Sequence, residues 1–210
     1  MVFENIIACL PGEPSFRRFV RQDVNPVSGV IKKRRILFAP NTAMELLQSR
    51  FRDYLYSFDP ERVKHLLRFA TAFRAGDDPV KNVEHHRFQR FFYCLDLKNA
   101  FPSILSADLV RALAHFDSDL SGHEEEVDAF LNRYFIDSVK GGLFTGGNAS
   151  NDLFNLCLGF VMDQSLGELC ERHSISFTRY VDDFTLSSLT PITKAVRREI
   201  RAVIEQTNFR

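Results

Sequence analysis

The sequence has no net charge to advertise a partner. Its 27 Lys and Arg balance 27 Asp and Glu, so no global basic field points to a polyanion. Long apolar runs are lacking too. The opening MVFENIIACLPG has only a short apolar stretch and no charged leader, which argues against a signal peptide, and nothing later approaches a membrane span. Cysteine is scarce and scattered: Cys9, Cys94, Cys157 and Cys170 stand far apart in apolar surroundings. That pattern excludes a disulfide framework and predicts reduced, buried thiols in a cytoplasmic protein. Zinc is disfavoured, because Cys170 and His173 have a ligand-like separation that no second pair answers. His85 and His86 read as surface residues for the same reason. Internal repeats and low-complexity tracts are absent.

What is present is enough apolar matter for a core. The chain has 210 residues, 45% of them hydrophobic, the balance of a packed globular protein. Charge is unevenly spread: residues 1–75 carry 13 basic against 7 acidic side chains, whereas residues 111–210 carry 10 against 15. Pro11, Pro14, Pro26 and Gly29 make residues 1–30 read as a loose arm or a short helix joined by turns. VIKKRRILFAP then reads as a strand or hairpin limb stopped by Pro40. From Asn41, a good N-cap, Met44, Leu47, Phe51, Leu55 and Phe58 share a helical face. PERVKHLLRFATAF predicts a second helix, and RFFYCLDL a strand buried on both faces. SADLVRALAHF predicts a helix capped at Ser106, and the glycine-rich GGLFTGGNAS feeds a long helix capped by Ser150. The last 20 residues before Arg210 form an amphipathic helix.

Two Asp-Asp pairs test what context adds. Asp77 and Asp78 lie between Gly76 and Pro79 and read as a solvated turn. Asp182 and Asp183 instead stand between the β-rich segments ISFTRYV and FTLSS, which places them at the tip of a hairpin, where Asp tolerates a left-handed backbone. Adjacent carboxylates repel unless a cation neutralises them or one takes up a proton. A hard divalent ion such as Mg²⁺ resolves the conflict, and Asp96, at the end of its strand, is the natural third carboxylate. Three carboxylates could hold two ions of the kind that serve in-line phosphoryl transfer.

LDLKNAFPSI around Asp96, GGLFTGGNASNDLFNLCL, and FTRYVDDFTLSS, in that order, resemble three successive palm motifs of reverse transcriptases of the bacterial retron and group II intron kind. Asp96 is followed five residues later by an aromatic, Phe101; Gly146, Ser150, Leu153 and Asn155 follow the second pattern; Tyr180, Val181, Asp182 and Asp183 follow the third. The resemblance spans roughly residues 30–190. It implies an α+β fold: a right-hand palm with an antiparallel sheet backed by helices over 91–210, fingers over 31–90 and an arm over 1–30. It implies an RNA-directed DNA polymerase, with Asp96, Asp182 and Asp183 catalytic. They and the Leu97 carbonyl would hold two Mg²⁺ ions, Mn²⁺ being the alternative. Lys33 and Arg35 would grip the triphosphate, and Asn99 and Ala100 would offer it backbone amides. Phe101 would exclude a 2′-hydroxyl. Thr145 and Gly146 would shape the nucleotide pocket, with Tyr180, Ser150 and Asn155 in support.

The implied partners are an RNA template, a DNA or RNA primer and deoxynucleotides, with no membrane. Departures from the family pattern stand beside this. The usual Leu-Pro-Gln-Gly reads Leu143, Phe144, Thr145, Gly146, and Asn148 and Asn151 replace prolines. The thumb and the segment bearing a general-acid lysine are expected to be missing, so the chain reads as a fragment, a truncated gene product, or a protein that borrows the missing part from a partner protein or a second copy. Untemplated nucleotide addition and an RNA- or protein-binding module are the alternatives.

Overall fold

A computed structural model describes residues 2–209, except 25, 30, 74, 75, 77 and 140, and only the backbone of residues 21–24 and 32–37. The class is the expected α+β, built on two antiparallel sheets. Asp77 lies outside the described residues; its neighbour Asp78 caps the helix α4 (Pro79–Glu84) by accepting from Lys81 N at 2.8 Å.

The first sheet is a hairpin. β1 (Phe16–Val24) pairs with β2 (Ile31–Pro40) from Phe16↔Pro40 to Val24↔Ile31. The expected loose arm therefore holds a strand as well as the short helix α1 (Glu4–Ile7). Proline and glycine punctuate only the hairpin ends, and the run between them alternates well enough to pair. Asn41 caps α2 (Thr42–Tyr56) by accepting from Met44 N, as its sequence predicts.

The helix expected over 60–73 stops early: α3 spans Pro60–Leu66. Beyond it the backbone turns to a strand edge instead. Arg179 N donates to Phe69 O at 2.7 Å and Thr71 N to Arg179 O at 2.8 Å, so tertiary pairing overrides helical continuation.

The second sheet positions the site. β3 (Phe91–Asp96), β4 (Ser176–Tyr180) and β5 (Asp183–Ser188) run antiparallel in the order β3-β5-β4. One face carries Phe177, Arg179, Phe184 and Leu186, all buried. The other presents Phe92, Cys94, Asp96, Thr185 and Asp183 by strict alternation. β3 was expected to be buried on both faces, but it is an edge strand on which Phe91 and Phe92 are 40% and 52% exposed. An unbroken apolar run does not distinguish a central strand from an edge whose outer face awaits a partner. Cys94 is exposed on that outer face, and Cys9 is exposed too, against expectation. Cys157 and Cys170 are buried as expected, the Cys170 thiol being pushed up to about 12 by burial.

Helices pack behind the sheet. α5 (Ser106–Phe116), α6 (Glu124–Tyr134), α7 (Ser150–Leu158) and α8 (Gln164–Arg172) enclose the core, and α9 (Lys194–Glu205) closes it on α8. Two caps differ from expectation. Ser106 and Ser150 are first helical residues, and neither the Leu105 nor the Ala149 cap position makes a side-chain bond. α7 runs into α8 through a π-helical stretch, Gly159–Asp163. Such bulges cluster at functional sites, and this one sets Asp163 inward.

Candidate active site

The hairpin tip gathers the acidic residues by backbone pairing. Asp96 pairs with Asp183 across β3 and β5, and Tyr180 pairs with Asp183 across β4 and β5. Leu97 N donates to the Asp182 backbone carbonyl at 3.1 Å, so the backbone of the turn is tied to the end of β3. Asp96 and Asp183 are exposed and Asp182 is half-buried. The side chains are not drawn into a ready-made metal cluster: among the described residues, no three Asp, Glu, His or Cys stand together as a group that could hold an ion. Their donor chemistry fits Mg²⁺, being carboxylate oxygen with room for water and phosphate.

The turn between the strands has two residues, Val181 and Asp182, and its left-handed position is not an aspartate. Val181 takes φ 58°, whereas Asp182 keeps an ordinary backbone. Positive φ only at the first central position is the pattern of a type II′ hairpin turn, which usually has Gly there. A β-branched residue in this region is strained by roughly 1–3 kcal/mol and persists only where the surroundings over-determine it.

Those surroundings are a buried guanidinium. Arg179 is fully buried and meets Asp163 through both carboxylate oxygens, Nε at 3.0 Å to each and Nη2 at 2.8 Å. Its Nη1 donates to Asn155 Oδ1 at 3.0 Å and to the Val181 carbonyl at 2.9 Å, so the same fork that neutralises Asp163 grips the strained turn. Asn155 Nδ2 in turn donates to Ala72 O at 2.8 Å. Asn155, expected only to support the second motif, thus ties the hairpin to the segment beyond α3.

Neither Arg179 nor Asp163 was singled out from sequence. A signal existed: Ile175, Phe177 and Arg179 share one parity of a β-rich run, so an arginine on the buried face demands a carboxylate. Nothing local names Asp163.

On the outer face the hairpin is braced by a residue that sequence reading assigned to the surface. His86 is buried, with Nδ1 2.5 Å from Ser187 Oγ and Nε2 2.7 Å from Thr178 Oγ1. Asn82 Oδ1 accepts from Thr178 and Thr71 hydroxyls at 2.6 and 2.9 Å. Burial, then the neighbouring His85, holds the His86 imidazole below its usual pKa.

The other motif residues are placed by contacts of their own. Asn99 takes φ 53° and its carbonyl accepts from both Ser103 N and Ser103 Oγ, making the tight turn after β3. Ala100 is buried, and Phe101 stacks on Phe154 of α7 at 4.3 Å with 17° between rings. The glycine loop is held at both ends: Leu143 N donates to Ile104 O, and Phe38 N on β2 donates to Thr145 O. Gly146 has φ 110°, and a Cβ there would lie 2.8 Å from the Phe38 carbonyl oxygen. Thr145 and Gly146 therefore adjoin the strand that carries Lys33 and Arg35, whose side chains lie outside the described residues. Ser150 Oγ is buried without a hydrogen-bond partner, as is the Gln48 amide nearby.

A cleft of about 580 Å³ opens beside this loop, lined by Arg52, Tyr56, Phe73, Gly146, Gly147, Asn148, Asn151 and Asp152. Arg52 Nε pairs with Asp152 at 3.1 Å and donates to Tyr56 O–H at 2.8 Å. Burial raises the Asp152 carboxyl above its usual value, against the pull of Arg52.

No family model matches the chain. In sequence it is similar to the retron Se72 reverse transcriptase of Salmonella heidelberg (strain 579083-10), 27% identical over 164 residues, which cover 77% of this chain and 39% of that protein. The retron Ec83 reverse transcriptase of Escherichia coli is 28% identical over 127 residues, covering 59% and 40% of the two chains. In fold it is similar to the telomerase of Candida albicans, solved with a fragment of telomeric RNA, with a TM-score of 0.52 at 11% identity over 97% of this chain and 42% of that one. The chain thus spans about two fifths of the length of the proteins it matches. The resemblance that the three motifs carry is borne out: this chain is similar in sequence to retron members of the reverse transcriptase family and shares a fold with telomerase over nearly its whole length.

Proposed function

We propose that the chain is the nucleotidyl-transfer core of an RNA-directed DNA polymerase. The observation that carries the reading is the β3–β5 register, which sets Asp96 opposite Asp183 while Leu97 N–H holds the Asp182 carbonyl. Asp96, Asp182, Asp183 and the Leu97 carbonyl would hold two Mg²⁺ ions, and an ion entering the exposed cluster would offset the repulsion between adjacent carboxylates. When bound, the ions activate the attacking hydroxyl and compensate charge on the leaving group. The primer 3′-oxygen bonds to the α-phosphorus of a deoxynucleotide, and the α-phosphorus bond to the bridging oxygen breaks to release pyrophosphate.

The chain's own residues orient the reactants. Lys33 and Arg35 belong to β2, the strand that meets Thr145 and Gly146 at Phe38, and as cationic donors they would suit a triphosphate. Asn99 and Ala100 form the turn that would offer backbone amides, and Phe101, stacked on Phe154, would exclude a 2′-hydroxyl. An RNA template and a DNA or RNA primer are the partners, with any duplex-gripping segment supplied by further chain, a partner or a second copy.

Primer extension on an RNA template with Mg²⁺ tests this. The parent protein is expected to extend, Asp182→Asn to fall to background, and omission of the template to stop both. Equal extension by the parent and Asp182→Asn would remove the mechanism, and extension without template would favour untemplated addition.

A further inference from the structure

The back of the sheet carries a charged surface that the transfer reaction does not use. Residues 111–210 are acidic in sum, yet four of their ten cations fall within eight residues of α9: Lys194, Arg197, Arg198 and Arg201. At 100° per residue these four lie within an arc of about 100°, in three successive rows spanning about 10 Å along the helix. All are exposed, and none has a carboxylate partner among the described residues. The side of α9 that adjoins Arg197 buries Ile200 and Ile204, and Glu199 turns aside to His173 at 3.2 Å. Glu205, a turn beyond Arg201, bounds the stripe.

Two of the arginines are ordered in advance. The Arg197 guanidinium lies 5.0 Å from the Tyr93 ring centroid and its Nε donates to Ile192 O, while Arg201 Nε donates to Tyr93 O–H at 3.0 Å. Tyr93 belongs to the β3 face opposite Asp96, so the stripe points away from the catalytic carboxylates. Four like charges on one exposed face repel one another, and a bound polyanion would relieve that repulsion. The stripe offers cationic donors in a row, and the aromatic they touch, Tyr93, is already engaged by Arg197 and Arg201. That suits a paired nucleic-acid backbone rather than a single strand, which needs stacking platforms.

We infer that this face of α9 binds the phosphate backbone of a base-paired RNA, at a place separate from the primer and template at the hairpin. Only the choice of RNA over another paired polyanion rests on the polymerase reading.

The test is fluorescence anisotropy with a labelled 20-base-pair RNA stem, in chelator and without nucleotides, over a range of salt. Asp182→Asn is expected to bind as the parent does, which separates this proposal from the fate of the catalytic one. Lys194→Glu/Arg198→Glu changes two residues with no structural partner. It is expected to bind at least about tenfold more weakly near 0.1 M salt and to lower the slope of log affinity against log salt by about two. Lys194→Gln/Arg198→Gln is expected to lower the slope likewise, and matching circular dichroism and melting curves show that both variants fold. An unchanged affinity and slope in the folded variants overturns the proposal. So does an equal loss in Lys64→Glu, a charge change on α3 far from the stripe.

Discussion

Removing the acid from behind the hairpin is the most informative perturbation. Asp163→Asn keeps the shape of the side chain but leaves the Arg179 guanidinium, fully buried, without its counter-charge. Breaking one partner of a buried pair costs about 3–5 kcal/mol, because the orphaned charge stays out of water. Urea denaturation read by linear extrapolation should show that loss as a fall in midpoint with unchanged slope. The companion variant, Arg179→Met/Asp163→Leu, replaces the pair with apolar volume and is expected to return most of the stability, since such replacements are often neutral or stabilising. It does not restore the bond from Nη1 to the Val181 carbonyl, so the turn at φ 58° loses its clamp. The double variant should therefore be stable yet extend primers at least tenfold more slowly than the parent, with kcat affected more than KM. A loss below about 1 kcal/mol in Asp163→Asn would refute the argument that the pair is buried and uncompensated. Full activity in the stable double variant would refute the role of Arg179 in holding the turn.

Two further outcomes follow from the geometry. Gly146→Ala must place a Cβ 2.8 Å from the Phe38 carbonyl at φ 110°, so it should cost about 1–3 kcal/mol in denaturation and pull the glycine loop away from β2; parental stability would show that the loop is loose. His86 is held below its usual pKa, so the folded state disfavours the charged ring; stability is fully present above pH 6.5 and should fall as pH drops through and below it, a decline that His86→Gln should flatten in pH-resolved melting curves.

Long periodic segments were legible in the sequence and edges were not. Asn41 announced α2 because a cap and a helical face agree, and β4 and β5 were legible because alternation brackets a two-residue turn. β3 misled: its apolar run reads as doubly buried, but an edge strand whose outer face carries Phe92, Cys94 and Asp96 has the same composition. The segment after α3 misled for a related reason, since its helical pattern yields to two backbone bonds with Arg179 that no local signal encodes. The carboxylates were found because their chemistry is local, two like charges between apolar strands. Asp163 and the burial of His86 were missed because they reach the hairpin from segments distant in sequence, the π-helical stretch after α7 and the turn after α4.

That distribution has a physical logic. A two-residue turn carrying adjacent carboxylates cannot stabilise itself: the charges repel, Val181 is strained, and Asp96 and Asp183 are exposed. Apolar packing already opposes a one-residue slip, which would turn Phe177, Phe184 and Leu186 to the outer face. Directional contacts reinforce it. On the core face, Arg179 must meet Asp163, Asn155 and the Val181 carbonyl at once, and on the outer face His86 must meet Ser187 and Thr178 together. A slip of one residue would carry Arg179 to the outer face and Thr178 inward, orphaning both networks at a cost of about 1–3 kcal/mol per buried polar group. The two polar networks thus fix the β4–β5 hairpin in the register that sets Asp183 opposite Asp96.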